Sequence, residues 1–281
     1  MSSFSYPPAT RPPASDIRRW AMLVVVSLGF VMMTLNWFDL ASAFGQISAE
    51  FHMEIPQVAL LISAFVAGYG VFHIPAGFLA TRFGLRATLV TGLALEGVTA
   101  AMSGLAGDYA QLMILRILCG VGASVYAGIG IAAVSVWFSG RMHAFALGIV
   151  SATFSLGAAL GLYTWADVIA GFGWRQALVL GGALCVVGGL VVGAVYRVPP
   201  GPGNLTGMRV TRESVRQTLG NRLLWVYGVA FVGGYGAYFA ASQLVGGYGA
   251  DERHFASAGT ASLLIGLAGI PGSIVMGWVS D

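Results

Sequence analysis

Eight stretches of mostly apolar residues follow one another along this chain with short polar punctuation between them, at residues 21–47, 56–80, 87–107, 109–138, 144–169, 176–196, 223–249 and 257–279. A helix needs about 20 predominantly apolar residues to cross the hydrocarbon core of a bilayer, so each stretch reads as a membrane span. Composition agrees, because only 9% of the 281 residues are charged, against about 25% in soluble domains. A water-soluble globule is excluded. The chain is expected to be an all-α polytopic membrane protein, with the lipid bilayer as its first partner.

Charge placement orients it. All 14 basic residues are arginines. With the N-terminus in the cytoplasm, Arg11, Arg18, Arg19, Arg82, Arg86, Arg141, Arg197, Arg209, Arg212, Arg216 and Arg222 lie inside. Arg175 and Arg253 then lie outside, and Arg116 lies within a span. Short cytoplasmic loops hold the excess of positive charge, which selects this orientation. Basic residues spread over loops report topology, so no nucleic-acid partner is read. The Pro- and Ser-rich residues 1–19 are expected to form a disordered cytoplasmic tail. A rival reading makes Arg18-Arg19 the start of a signal peptide. The apolar stretch that follows is too long for one and is interrupted by Asn36 and Asp39.

Residues 197–222 open with Pro199-Pro200-Gly201-Pro202-Gly203 and read as a cytoplasmic linker ending in an amphipathic helix on the inner membrane surface. The linker separates a six-span bundle at 20–196 from two further spans at 223–281. Gly77-Phe78-Leu79-Ala80-Thr81-Arg82-Phe83-Gly84 closes the second span, and Gly277-Trp278-Val279-Ser280-Asp281 closes the eighth, 200 residues later. Six spans, a linker and a restart on the same turn are the pattern of two parallel six-helix repeats, the second represented by its first two helices.

Gly77, Leu79, Ala80, Arg82, Gly84 and Arg86 resemble the signature loop between spans two and three of the major facilitator superfamily. Leu115-Arg116 with Gly120 and Gly122 resembles that family's fourth-span motif, and Trp137-Phe138, Arg141, Gly148 and Gly173-Trp174-Arg175 extend the likeness. The resemblance implies the family's fold, truncated after the eighth helix, with a complete N-terminal six-helix bundle. It also implies alternating-access transport with an inner gate at Gly77, Arg82, Gly84, Arg86 and, in the second half, Asp281. Thr81 stands where the family's loop normally has an aspartate. Asn36-Trp37-Phe38-Asp39 with Phe72-His73-Ile74-Pro75 resembles the anion-symporter and sugar-phosphate permease branches, although Leu40 replaces an arginine common there. Gly148, Gly157 and Gly161 match the drug-extruding branch, but Leu162 replaces its proline.

A charge within a span costs about 2.5–3.5 kcal/mol on insertion scales, so each needs a partner, a wet cavity or a function. Asp39 and Arg116 each lie about eight residues, or roughly 12 Å, below the outer end of their spans. Spans one and four line the central cavity of the implied fold. The two residues are therefore expected to pair there, with Arg116 receiving a substrate anion and Asp39 taking a proton when it does. The alternative is a static ion pair. Asn36, Asp39, Ala43 and Gln46, spaced by three, four and three, are expected on one face of a continuous helix. Tyr235, Tyr238 and Ser242 repeat that spacing at an offset of 199, as a matched wall of the site or as packing beside Gly233, Gly234 and Gly236. Glu96 is expected to be a buried, protonated carboxyl in a hydrogen bond, and His73 a packed donor. Arg82 and Arg86 either contact helix ends and lipid phosphates or only mark the positive side.

The expected substrate is a small anionic molecule coupled to a proton or another ion. Drug or metabolite efflux, and a transporter-like subunit that moves nothing, are the alternatives. No glycine-lysine phosphate loop is present to use ATP. His52, His73, His143 and His254 are scattered without a nucleophile or ligand spacing, so no enzyme, metal or cofactor is read. Cys119 and Cys185 sit in apolar runs as small core residues.

Overall fold

The structure is a computed structural model that describes residues 16–138, 140, 142–199, 212–230, 237 and 258–281. In chain order the helices are α1 (Asp16–Trp37), α2 (Phe44–Phe51), α3 (Ile55–Phe83), α4 (Leu85–Ser103), α5 (Tyr109–Ser135), α6 (His143–Phe172), α7 (Trp174–Val195), α8 (Arg212–Leu219) and α9 (Ala258–Ser280). Residues 222–230 are also helical. Among the described residues six helices, α1 and α3 to α7, are long and apolar enough to cross a membrane. They fall on the first six apolar stretches. Residues 1–15 of the proposed tail, 200–211 of the linker, most of span seven, and Tyr235, Tyr238 and Ser242 lie outside the described residues, while residues 16–19 of the tail already belong to α1.

The first span departs from expectation. It is not one helix from 21 to 47: α1 stops at Trp37, Phe38-Asp39-Leu40 form a bend and turn, and a single 3-10 turn at Ala41–Ala43 leads into α2. Neither proline nor glycine forces this break. The tertiary surroundings sustain it, since Phe38, Asp39 and Leu40 are all buried and the Ala43 N–H bonds the Leu40 carbonyl at 2.8 Å. Irregular backbone at membrane depth is tolerable where protein covers it. The continuous polar face expected from Asn36 to Gln46 therefore does not form. Gln46, beyond the break, donates to the Ile169 carbonyl at 3.3 Å and accepts from the Trp174 N–H at 3.0 Å.

α5 is the central helix, packed between α3 and α4. Gly120 lies over the Phe65 carbonyl of α3 and Gly122 over the Glu96 backbone of α4, where a Cβ would overlap either strand of main chain. Small residues thus set the helix separations, as hydrocarbon gives helices no hydrophobic reason to associate. α4 packs also on α7, α1 on α6 and α7, and α9 on α6.

Two junctions repeat one device. Gly84, at φ 82°, joins α3 to α4, and Gly173, at φ 84°, joins α6 to α7. That positive φ favours glycine. The residues are Phe83-Gly84-Leu85-Arg86 and Phe172-Gly173-Trp174-Arg175, and the two arginines act reciprocally. Arg86 Nε, at the start of α4, donates to the Gly193 carbonyl near the end of α7 at 2.7 Å. Arg175 Nη1, at the start of α7, donates to the Gly104 carbonyl at the end of α4 at 3.0 Å. Each arginine satisfies a carbonyl at the negative end of the other helix.

Candidate transport site

Burial of the break brings Asp39 against α5. Arg116 Nη1 donates to Asp39 Oδ1 at 3.1 Å and Oδ2 at 3.3 Å, with both side chains 1% exposed. The expected ion pair is formed, but not as a cavity wall: both side chains are buried, and neither lines the cavity that opens beyond Trp37. Arg116 Nε and Nη2 have no hydrogen-bond partner among the described residues. A guanidinium carries five N–H donors, so much of this cation's hydrogen-bonding capacity is uncommitted.

Asn36 points elsewhere, its Nδ2 donating to the Gly181 carbonyl of α7 at 3.0 Å while its Oδ1 has no partner among the described residues. Glu96 is fully buried on α4, and its backbone carbonyl accepts from Cys119 Sγ of α5 at 3.6 Å. Its carboxyl does not make the expected hydrogen bond: the Cys185 thiol lies within reach, but neither carboxyl oxygen has a bond of good geometry. Asn36, Asp39, Glu96 and Arg116, with the two cysteines, thus form a buried polar layer shared by α1, α4, α5 and α7.

Trp37 forms the boundary of this layer. Its ring packs against Phe65 at 5.0 Å, Tyr69 at 4.6 Å and Phe154 at 5.8 Å between centroids. On its other side opens a cavity of about 500 Å³ walled by α1, α3, α5, α6 and Ser273 of α9. His73 of α3, Ala127 and Ile131 of α5, Leu147 to Ser155 of α6 and Ser273 of α9 lie in the halves of their helices nearer Arg82, Arg86 and Arg197, whereas Tyr69 is at the middle of α3 and Trp37 ends α1 on the far side. His73, expected to be only a packed donor, reaches this cavity, its Nδ1 lying 3.0 Å from the Tyr69 carbonyl and 2.7 Å from Ser124 Oγ. Trp37, Tyr69 and Phe154 were not legible as wall residues, since aromatic residues in an apolar span look the same whether they face a cavity or the core.

The loop motif divides. Gly84 makes the turn and Arg86 the clamp described above, whereas the Arg82 guanidinium lies 5.4 Å from the Phe83 ring and nothing described lies within 4 Å of a Cβ added at Gly77. In the second half Asp281 caps α6, accepting from the N–H groups of Ala144 at 2.9 Å and Phe145 at 2.8 Å. Those N–H groups, Phe145 first, hold its carboxyl below the ordinary 3.8. On the opposite end of the bundle Arg175 binds Glu50 at 2.6 Å and Trp174 Nε1 donates to the same carboxylate at 2.8 Å. The Arg175 hydrogen bond, then Trp174, draws the Glu50 carboxyl below its usual value.

The sequence model of the Major Facilitator Superfamily matches residues 26–281. This chain belongs to that family. As a superfamily member it is an integral, multi-pass membrane protein of a family of transporters, not of enzymes. It is 26% identical over 225 residues to the hexuronate transporter of Escherichia coli (strain K12), covering 74% of this chain and 52% of that protein. It is 25% identical over 289 residues to a probable L-galactonate transporter of the same strain, covering 94% of this chain and 62% of the relative. The superfamily fold is seen in a solved bacterial homologue of the human lysosomal transporter Spinster, in an inward-facing and occupied conformation. That structure superposes with a TM-score of 0.66 at 16% identity, covering 93% of this chain and 60% of the other. The chain thus spans about half to three fifths of the length of these relatives.

Proposed function

We propose that the intact protein is a secondary active transporter that moves a small organic anion by alternating access and couples it to protons. The observation that carries this reading is the buried Asp39–Arg116 pair, in which Arg116 keeps two nitrogens without a partner among the described residues. A substrate carboxylate on those nitrogens competes with Asp39 for the guanidinium, as charge-assisted bonds to arginine are strong and directional. Asp39, deprived of part of its counter-charge in a buried layer, then takes a proton, because an unpaired carboxylate there is costly. Anion and proton therefore load together. The substrates named for the two relatives, hexuronate and L-galactonate, are small organic anions, which supports the substrate class. In the same reading the N-terminus is cytoplasmic, 20–196 is the first bundle and 223–281 begins the second. Arg82, Arg86 and Asp281 belong to its inner gate.

The test is uptake by the intact protein in proteoliposomes under an imposed proton gradient. Gradient-driven uptake is expected for the wild type, Asp39→Asn should keep exchange but lose the response to the gradient, and Arg116→Lys should lose uptake. Wild-type rates with unchanged pH dependence in both variants would remove the proposal.

A further inference from the structure

The second repeat, so far as α9 represents it, meets the first through α6. The α4–α7 pair carries an exposed face of its own. On α4 the exposed Thr91, Val98 and Met102 follow at spacings of seven and four, and on α7 the exposed Val187 and Leu190 follow at three, so each helix presents one side outward. An apolar side of this kind on a spanning helix meets acyl chains.

Toward the end that the arginines assign to the cytoplasm, a groove of about 650 Å³ opens between the two helices, with Arg86, Val90 and Thr91 on one side and Gly189, Leu190 and Gly193 on the other. The two glycines bring no side chain into it. Arg86 is the second residue of α4, and Thr91 lies five residues, or about 8 Å, further along the helix. At the opposite end of the same helix pair a groove of about 470 Å³ is lined by Leu105, Arg175, Val179 and Leu180 among others. Each groove thus has apolar walls and one arginine.

The two differ in charge. Arg175 is neutralised by Glu50 at 2.6 Å. Arg86 donates from Nε and Nη2 to the Gly193 carbonyl, while its Nη1 makes no hydrogen bond and no carboxylate pairs with it among the described residues. A neutral carbonyl fixes a guanidinium without cancelling its charge. The Arg86 groove therefore offers a positioned cation beside apolar surface, which is complementary to an anionic head group and its acyl chain.

We propose that the Arg86 groove binds one anionic phospholipid, with the phosphate on the Arg86 guanidinium and the upper part of an acyl chain against Val90, Thr91 and Leu190, and that Glu50 denies the matching groove to such a lipid by holding Arg175. The proposal goes beyond the transport reading and does not rest on it.

The test is native mass spectrometry of the intact protein released from nanodiscs of equal phosphatidylglycerol and phosphatidylcholine. One phosphatidylglycerol is expected to be retained per protein with about fivefold preference, the effect of one arginine at an anionic surface. Arg86→Gln should bring that preference to parity. Because this change also loosens the clamp on Gly193, two variants leave Arg86 in place. Thr91→Trp, which fills the groove, should expel the lipid, and Glu50→Gln, which releases the charge of Arg175, should admit a second phosphatidylglycerol. Arg82→Gln, outside the groove, should leave lipid retention unchanged, and so should excess inorganic phosphate, which has no acyl chain. A preference that survives Arg86→Gln or Thr91→Trp, falls equally with Arg82→Gln, yields to inorganic phosphate, or stays at one lipid in Glu50→Gln overturns the proposal.

Discussion

An arginine with two uncommitted nitrogens in a buried layer is expensive to keep, and Asp39 is what makes it tolerable. Removing one partner of a buried pair strands the other charge, at a cost of about 3–5 kcal/mol, whereas replacing both with apolar residues is often close to neutral. With both side chains 1% exposed, solvent screens little of this. Arg116→Leu is therefore expected to lower the thermal unfolding midpoint in detergent markedly, and Asp39→Leu combined with Arg116→Leu to recover most of the loss. The double variant should still fail to take up solute. Recovery of stability without recovery of transport separates the pair's structural role from its proposed chemistry; a double variant as unstable as the single one would mean that the pair is not what strains or holds the layer.

At the level of elements, the α6 start is held by a residue 137 positions later in the chain, through Asp281 and the Ala144 N–H. The first four N–H groups of a helix lack partners within it, and a carboxylate there satisfies two of them and meets the positive end of the helix dipole. The folded carboxyl is held below its ordinary value, chiefly by the Phe145 N–H, so its contribution is complete above the usual carboxylate range and is lost as pH falls through the lowered folded value. Asp281→Ala should accordingly lower the unfolding midpoint at neutral pH, with the gap to wild type closing only in strong acid; a gap constant with pH would exclude the cap as its cause. This latch was legible from the repeat of the span-end turn, and the six long helices were legible from apolar run length alone. The break after Trp37 was not, because Phe38, Leu40 and Ala41 are as apolar as any helix interior and hydropathy does not register a turn that tertiary contacts sustain. The Asp39–Arg116 contact was legible as a shared depth on spans one and four, but Asp39 reaches it from the turn after the broken end of α1 and not from a continuous first-span helix. Glu96 joined the same layer unannounced, since sequence gives the depth of a buried acid but not which neighbours surround it.

For the molecule as a whole, the reciprocal clamp bears on how the bundle sits in the membrane. Arg86 and Arg175 occupy corresponding places at opposite ends of the paired α4 and α7, so this clamp does not by itself select which end faces the cytoplasm. What breaks the symmetry is the surplus of arginine near Arg18, Arg19, Arg82, Arg86 and Arg197 over the lone Arg175 among the described outer ends, and short loops rich in arginine stay inside. The two native cysteines are buried, which permits a direct measurement with a membrane-impermeant maleimide. Ala49→Cys, exposed on α2, is expected to label in intact cells, and Gln217→Cys, exposed on α8, only after permeabilisation. The reverse pattern would place the cavity's open side outward. It would also turn the proposed co-loading of anion and proton from an uptake scheme into one that begins at the cytoplasmic face.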